Sequence, residues 1–333
     1  MSDNISANNA ELTISFIDVG QGDATLIECD NEAMLIDAGL YSERQAVTSY
    51  IYNRGIKSLD YCVATHPHAD HIGGMSDVIY SLDVDTLVYP LCDNESSSWN
   101  YVLDACDETG VSYFNPEPLD TIKLGKATIT FLSPERNAVY DDLNNYSLVL
   151  KLEYENVSFL FTGDAEKQVE TKLLEKHFDL SADVLKCGHH GSSTSSSEAF
   201  INAVNPAAAV ISCGIDNEYG HPHRETLNTL NDRGIKIYRT DMSSTIVALS
   251  DGETITFCSG DEVLGEVAVN TQSETQSASS EAAYNYVGNK NSKVFHSLNC
   301  SSVENTKEKN KVYFNTREDA ADNGYSPCKA CNP

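Results

Sequence analysis

The stretch Thr65-His66-Pro67-His68-Ala69-Asp70-His71 places four side chains that bind metal as neutral imidazole or carboxylate within six residues. The preceding Tyr61-Cys62-Val63-Ala64 reads as a short buried strand, and Gly73-Gly74 follows before a helix-like segment. A strand there delivers the cluster at its C-terminal end, where open α/β sheets place their ligand sites. Alternation sends His66, His68 and Asp70 to one side, and the turn at His71 brings back a fourth donor. Nitrogen and oxygen donors without thiolate suit Zn²⁺, Mn²⁺ or Fe²⁺ in an open, water-bearing site. A lone histidine would more often be a satisfied polar loop residue; three beside an aspartate at this spacing point to metal.

Working outward, the pattern on the N-terminal side predicts strands at 12–18, 24–29 and 33–37 and a helix over 43–54. Beyond the loop, a helix-like segment covers 72–82 and a strand 86–89. Residues 90–120 are irregular around a helical 99–108 and suit a lid or substrate-facing insertion. Strands follow at 127–132, 147–153, 157–162 and 183–186, with a helix over 166–177 before the last. The alternation then continues with helix 197–203, strand 207–212, helix 225–233, strand 236–238 and a hairpin pair at 245–249 and 254–257. Two mixed sheets flanked by helices make an α/β protein of four layers, αββα. Further donors stand at strand tips: Asp37 in Leu35-Ile36-Asp37-Ala38-Gly39, Asp164 in Phe161-Thr162-Gly163-Asp164, His189-His190-Gly191-Ser192, and His221-Pro222-His223. Taken singly, Asp37 or Asp164 is more often a helix cap or turn residue than a ligand.

The formal charge of the 333-residue chain is −28, which disfavours non-specific attachment to nucleic acid. It is unevenly spread: residues 284–333 hold seven Lys/Arg against five Asp/Glu, a net +2, which leaves −30 for residues 1–283. No apolar run is long enough to cross a membrane, and Met1-Ser2-Asp3-Asn4 opens polar. The cytoplasm is the default expectation, with export or surface attachment the alternative if a signal has been trimmed. Seven of the ten cysteines are scattered through apolar runs and read as buried small side chains. Residues 263–283, rich in Ser, Gln, Thr and Glu over most of their length, read as a flexible linker. They divide a domain at 10–262 from a small module at 284–333.

The set Asp37, His66-x-His68-x-Asp70-His71, Asp164 and His189-His190 resembles the metallo-β-lactamase fold family, and within it the hydrolase domain of the ComEC competence proteins. Phe16-Ile17-Asp18-Val19-Gly20-Gln21-Gly22-Asp23, Asn144-Asn145-Tyr146-Ser147, His189–Ser193 and Tyr219-Gly220-His221-Pro222 are similar in the same order. The resemblance implies two divalent ions, Zn²⁺ or Mn²⁺. His66 and His68 would hold one, Asp70 and His71 the other, with Asp164 bridging. His189 or His190 would close the second site, His190 being favoured. Asp37, Asp23 and Asn145 would stand behind the ligands, with Asp23 and His221 near the substrate. His221 would hold a phosphate oxygen or protonate the leaving group, and Asp70, Asp164 and His221 would form the catalytic core. Many relatives supply one more histidine where this chain reads Leu143-Asn144-Asn145-Tyr146-Ser147, so the ion on His66 and His68 has fewer protein ligands.

Phe295-His296-Ser297-Leu298-Asn299-Cys300 and Ser326-Pro327-Cys328-Lys329-Ala330-Cys331 give one nitrogen and three sulfur donors. His296, Cys300, Cys328 and Cys331 form the pattern of a closed structural Zn²⁺ site in a module too small to fold easily without one. The module resembles the zinc-binding domain of the Ada DNA-repair proteins, with His296 where that family's pattern has the methyl-accepting cysteine. Alkyl transfer is therefore not expected, while nucleic-acid binding and a purely solvated module remain as readings. For the whole chain the expectation is a two-metal phosphodiesterase or nuclease acting on DNA or another phosphodiester. Two alternatives stand beside it: hydrolysis of a phosphocholine ester or a lactone, and a zinc-module binding protein with a vestigial hydrolase domain.

Overall fold

The computed structural model describes residues 11–92, 94–268, 286–297, 300, 303, 306–307, 310–314, 317–329 and 331. Two compact units divide the chain at Asn270 and Thr271. In the first, a nine-stranded sheet begins with the meander β1 (Leu12–Phe16), β2 (Thr25–Cys29) and β3 (Glu32–Ile36). It continues in parallel through β4 (Ser58–Val63), β5 (Asp83–Val88) and β6 (Ser112–Phe114). A seven-stranded sheet takes β7 (Thr121–Leu124), β8 (Ala127–Ser133), β9 (Val149–Tyr154), β10 (Val157–Phe161), β11 (Val184–Lys186), β12 (Ala208–Ile211) and β13 (Lys236–Arg239). The chain returns to the first sheet with β14 (Ile246–Ser250), β15 (Thr254–Ser259) and β16 (Glu262–Ala268), β14 pairing antiparallel with β1.

Period-two alternation sorts these strands' side chains into separate cores. Ile14, Phe16, Met34, Phe131, Leu150, Phe159 and Phe161 face one another between the sheets. Leu26, Leu35 and Cys62 on the opposite parity meet the helices α1 (Arg44–Asn53), α2 (Ala69–Ile72), α3 (Met75–Ser81) and α4 (Ser97–Thr109). Leu160, Leu185 and Ile211 meet α5 (Lys167–Glu175), α6 (Glu198–Val204) and α7 (Arg224–Asn231). This is the αββα sandwich, and it explains why central strands such as Val184-Leu185 read as unbroken apolar runs: both faces are covered.

Three expectations need correction. Residues 263–268, assigned to the linker, are the edge strand β16, because Val267 is buried and Leu264 packs on the inter-sheet core; positions 269–283 lie outside the described residues. Residues 97–109 form no lid: Trp99, Val102, Ala105 and Cys106 bury one face of α4 in the outer helical layer. The helix expected over 72–82 begins only at Met75 as α3, and Ile72 ends the separate α2; the break falls at Gly73-Gly74, where a Cβ on Gly73 would lie 2.5 Å from the Tyr41 nitrogen and one on Gly74 2.5 Å from the Ala38 oxygen.

In the second unit β17 (Tyr286–Asn289), β18 (Val294–Ser297), β19 (Lys311–Phe314) and β20 (Ser326–Pro327) form a sheet in the order β19-β17-β18-β20. Its apolar core includes Phe295, Phe314, Ala320 and Tyr325. Among the described residues this core is small for a folding unit, which is where a metal staple contributes most.

Candidate metal centre

Every donor singled out in the first unit sits just past the C-terminal end of a parallel strand or in the loop that follows. Asp37 follows β3, the His66–His71 loop follows β4, Asp164 follows β10 and His189-His190 follow β11. The ladders continue into these loops: Asp37 N donates to Val63 O, Ala64 N to Val88 O, and His189 N to Gly163 O. The alternation expected through Asp70 stops at His68, which precedes the first turn of α2, so Asp70 and His71 project from a helix instead.

Asp37 organises this loop. It is buried in a left-handed conformation, φ 57°. Its Oδ1 accepts from Thr65 N at 2.8 Å, and its Oδ2 meets Thr65 Oγ1 and His71 Nδ1, each at 2.7 Å. With Nδ1 committed to Asp37, His71 turns Nε2 inward, 3.2 Å from Asp164 Oδ2. His190 is oriented the same way: Nδ1 bonds Ser212 O at 3.1 Å and leaves Nε2 3.3 Å from Asp70 Oδ2 and 3.5 Å from Asp164 Oδ2. Donor atoms of Asp70, His71, Asp164 and His190 all lie within 4.8 Å of one another. His66 Nε2 and His68 Nδ1 converge to 3.0 Å beside them, with His66 Nε2 3.9 Å from Asp164 Oδ2. Asp164 stands between the two groups, its backbone N–H held by Ser147 Oγ at 2.9 Å.

Of the adjacent histidines, His190 joins the four-residue cluster, while His189 lines the cleft partly exposed, its Nε2 3.8 Å from Asp164 Oδ2 and its Nδ1 3.1 Å from Thr194 Oγ1 and 3.6 Å from Glu166 Oε1. Both adopt left-handed backbone, φ 51° and 53°, which sends consecutive side chains in different directions. Asp23 lies behind His190 and does not line the cleft: its Oδ2 accepts from Lys186 Nζ at 2.8 Å and its Oδ1 is 3.7 Å from His190 Nδ1. Asn145 is bound to Glu166, its Oδ1 accepting from Glu166 N at 3.3 Å, and the neighbouring Asn144 lines the cleft. The turn that keeps Asn144 inward is closed by Asp142, whose Oδ1 accepts from Asn144 N. Ser147 and Lys186 also support the cluster, and the sign of Lys186 in the sequence is a cation inside the apolar run Val184-Leu185-Lys186. Gly22 lets the Asp23 segment approach, since a Cβ there would lie 2.4 Å from Asp70 O.

Burial opposes ionisation of Asp164 and Asp70. The neighbouring His71 and His190 charges outweigh it at Asp164, and the His190 hydrogen bond with the His71 charge outweighs it at Asp70, so both stay well below the carboxylate range. His71 is raised well above the usual histidine value, burial being overcome by Asp164 and Asp37, and His190 is raised by Asp164 and Asp23. Burial, then the His71 charge, pushes His66 down. Burial, then His190, lowers His221 to about 4.

Asp164 Oδ1 is buried without a hydrogen-bond partner, at a cost on the order of 1–3 kcal/mol, and His71 Nε2 and His190 Nε2 face only carboxylate oxygens, at 3.2 Å from Asp164 and 3.3 Å from Asp70. Imidazole nitrogens and carboxylate oxygens converging in this way are what a divalent cation satisfies once the imidazoles give up their protons, so the residues fit the metals expected. The cleft above them measures about 320 Å³, with Gln21, Asn144, Tyr219 and His221 on its walls.

Residues 17–215 match the Metallo-beta-lactamase superfamily. The chain belongs to that superfamily. Its fold is that of a metal-dependent hydrolase, and its C-terminal residues 273–333 match the Metal binding domain of Ada. There His296, Cys300, Cys328 and Cys331 bring their donor atoms within 4.8 Å of one another, the set expected for zinc. The chain is 34% identical over 256 residues to ComE operon protein 3 of Bacillus subtilis (strain 168), covering 72% of this chain and 33% of that protein. It is 31% identical over 246 residues to Competence protein ComA of Neisseria gonorrhoeae, covering 71% and 32%. The chain thus spans about a third of the length of these competence-protein relatives. CmlA, a diiron β-hydroxylase from Streptomyces venezuelae, aligns with a TM-score of 0.50 at 13% identity over 72% of this chain and 54% of that one, a likeness of fold.

Two outcomes follow from this geometry. Because His71 and His190 carry raised pKa values, metal uptake at neutral pH displaces protons, and affinity falls as pH is lowered. Calorimetric titration with Zn²⁺ in buffers of different ionisation enthalpy should report net proton release; uptake without it contradicts the assignment. Lys186→Met leaves Asp23 buried and unpaired, and should lower stability by about 3–5 kcal/mol in urea unfolding. Lys186→Met with Asp23→Leu should recover part of that loss.

Proposed function

We propose that this chain is a two-metal phosphodiesterase acting on nucleic acid, DNA first among its substrates. The observation that carries the reading is the pair of donor sets meeting at Asp164 on the floor of an open cleft: His66 with His68 on one side, Asp70, His71 and His190 on the other. Bound there, Zn²⁺ or Mn²⁺ ions supply Lewis-acid polarisation of the ester and lower the pKa of a water. The remaining work falls to the protein. Asp37 and Ser212 O fix the ring orientations of His71 and His190, and Ser147 fixes Asp164. His221, lowered to about 4, is neutral at neutral pH. It is therefore suited to donating a hydrogen bond to a phosphate oxygen rather than a proton to the leaving group. Asn144 stands on the same cleft wall, and its side-chain NH₂ is the group that would donate to that phosphate.

The relatives named for competence point to DNA as the ester. The net charge of −30 on residues 1–283 works against a polyanion, and the basic module, net +2, supplies phosphate contacts that the acidic body lacks. A second reading, hydrolysis of a small ester such as a phosphocholine ester or lactone, is favoured by one observation. No Lys or Arg is among the described residues that line the cleft.

The test is turnover of single- and double-stranded DNA and of bis-p-nitrophenyl phosphate with Mn²⁺ or Zn²⁺. Asp164→Ala should lose at least ~10²-fold, since even partners behind a ligand cost 10–100-fold. Small-ester turnover without DNA cleavage favours the second reading, and no metal-dependent turnover removes both. Deleting residues 269–333 should weaken DNA binding and flatten its salt dependence; an unchanged affinity takes the module out of substrate binding.

A further inference from the structure

Three rings step outward from the metal-ligand cluster along one wall of the cleft. His190 and His221 have centroids 6.2 Å apart and planes 28° apart, and His221 and Tyr219 follow at 5.6 Å and 21°. The stack ends at Tyr219, which is 67% exposed although His221 covers its inner face. The turn that carries it is stiff. Asn217 Nδ2 donates to Gly214 O at 2.9 Å and to His221 O at 2.6 Å, while Asn217 Oδ1 accepts from His221 N at 2.9 Å. His223 Nε2 meets Tyr219 O at 3.1 Å, and Gly220 takes φ 71° to close the turn. Packing within the domain does not account for holding a large aromatic ring in solvent, aligned with a catalytic-site imidazole.

We propose that the outer face of Tyr219 is a stacking platform for an unpaired base next to the scissile phosphate, so that the substrate is a single strand or a frayed end rather than intact duplex. The inference rests on the phosphodiesterase reading and narrows it. A base inside a duplex has both faces covered by its neighbours and cannot stack on protein; an unpaired base offers a free face. Stacking tolerates every base and contributes about 1–3 kcal/mol each. It does not depend on charge, which suits an acidic domain with no Lys or Arg among the described residues of the cleft wall. The ladder also sets a register: His221 lies one ring from the ligand His190 and Tyr219 one ring further, so a phosphate at His221 places its own or the adjoining nucleoside over Tyr219.

The test compares two chromogenic diesters, one that carries a nucleoside and one that carries only a methyl group: thymidine 5′-(p-nitrophenyl phosphate) and methyl p-nitrophenyl phosphate, with the Mn²⁺- or Zn²⁺-loaded full chain. Wild type should prefer the thymidine ester in kcat/KM. Tyr219→Ala should lower kcat/KM on the thymidine ester about 5- to 150-fold more than on the methyl ester, the range that 1–3 kcal/mol represents, mainly through KM. Tyr219→Phe and Tyr219→Trp should retain the preference. A preference that survives Tyr219→Ala, or an equal loss on both esters, overturns the platform while leaving the phosphodiesterase reading intact. If wild type hydrolyses neither ester, that reading fails on its own. Anisotropy with a labelled oligothymidylate then decides the stacking: weaker binding by Tyr219→Ala than by Tyr219→Phe supports it, and equal binding overturns it.

Discussion

The centre of this protein depends on one buried carboxylate. Asp37 is removed from water at the end of β3, and burial pushes its pKa up. It stays in place because its two oxygens meet three donors on the following strand's loop, Thr65 N, Thr65 Oγ1 and His71 Nδ1. Those bonds decide which nitrogen of His71 faces Asp164 and hold the start of the His66–His71 loop against the end of β3. Asp23, paired with Lys186, stands in a comparable place behind His190. The metal-facing atoms are thus arranged by charges that themselves face away from the cleft, and a strongly acidic chain keeps a compact cluster of carboxylates by interleaving them with imidazoles.

Much of this was legible because parallel strands bury both faces. A run such as Phe159-Leu160-Phe161 ending in Gly163-Asp164 announces a polar group at a strand tip, and several such tips in order identify the fold. The loop after β4 was legible for the same reason, down to which residues are donors. Its geometry was less so, since the change from extended chain to helix at Ala69 depends on Gly22 and Gly73 allowing other segments close approach. The choice between His189 and His190 was not legible, because two successive left-handed residues leave no trace in a pattern of alternation. That Asn144 faces the cleft was not legible for a similar reason: a short turn, closed by Asp142, decides which amide faces inward.

Elsewhere composition misled. Residues 263–268 look like the start of a polar linker, yet Val267 completes the inter-sheet core as the last edge strand. Segment 97–109 sits in an irregular, turn-rich stretch, but its Trp99, Val102 and Cys106 make it a packed layer of the sandwich. In both cases a few apolar side chains, well spaced, outweighed the polar majority around them. Charge was the more reliable guide at the scale of units, separating an acidic body from a basic module.

The strand order carries a kinetic consequence. The donors His66 to His71 come from one sheet and Asp164 and His190 from the other, and the two halves are joined at this point by the bond from Leu148 N to Thr65 O. The donor set of the first unit is complete only once the sheets have docked, and contacts so distant along the chain form late in folding. A metal held by that set would therefore act as a latch on the finished sandwich: it would not nucleate folding, but would slow the separation of the two sheets.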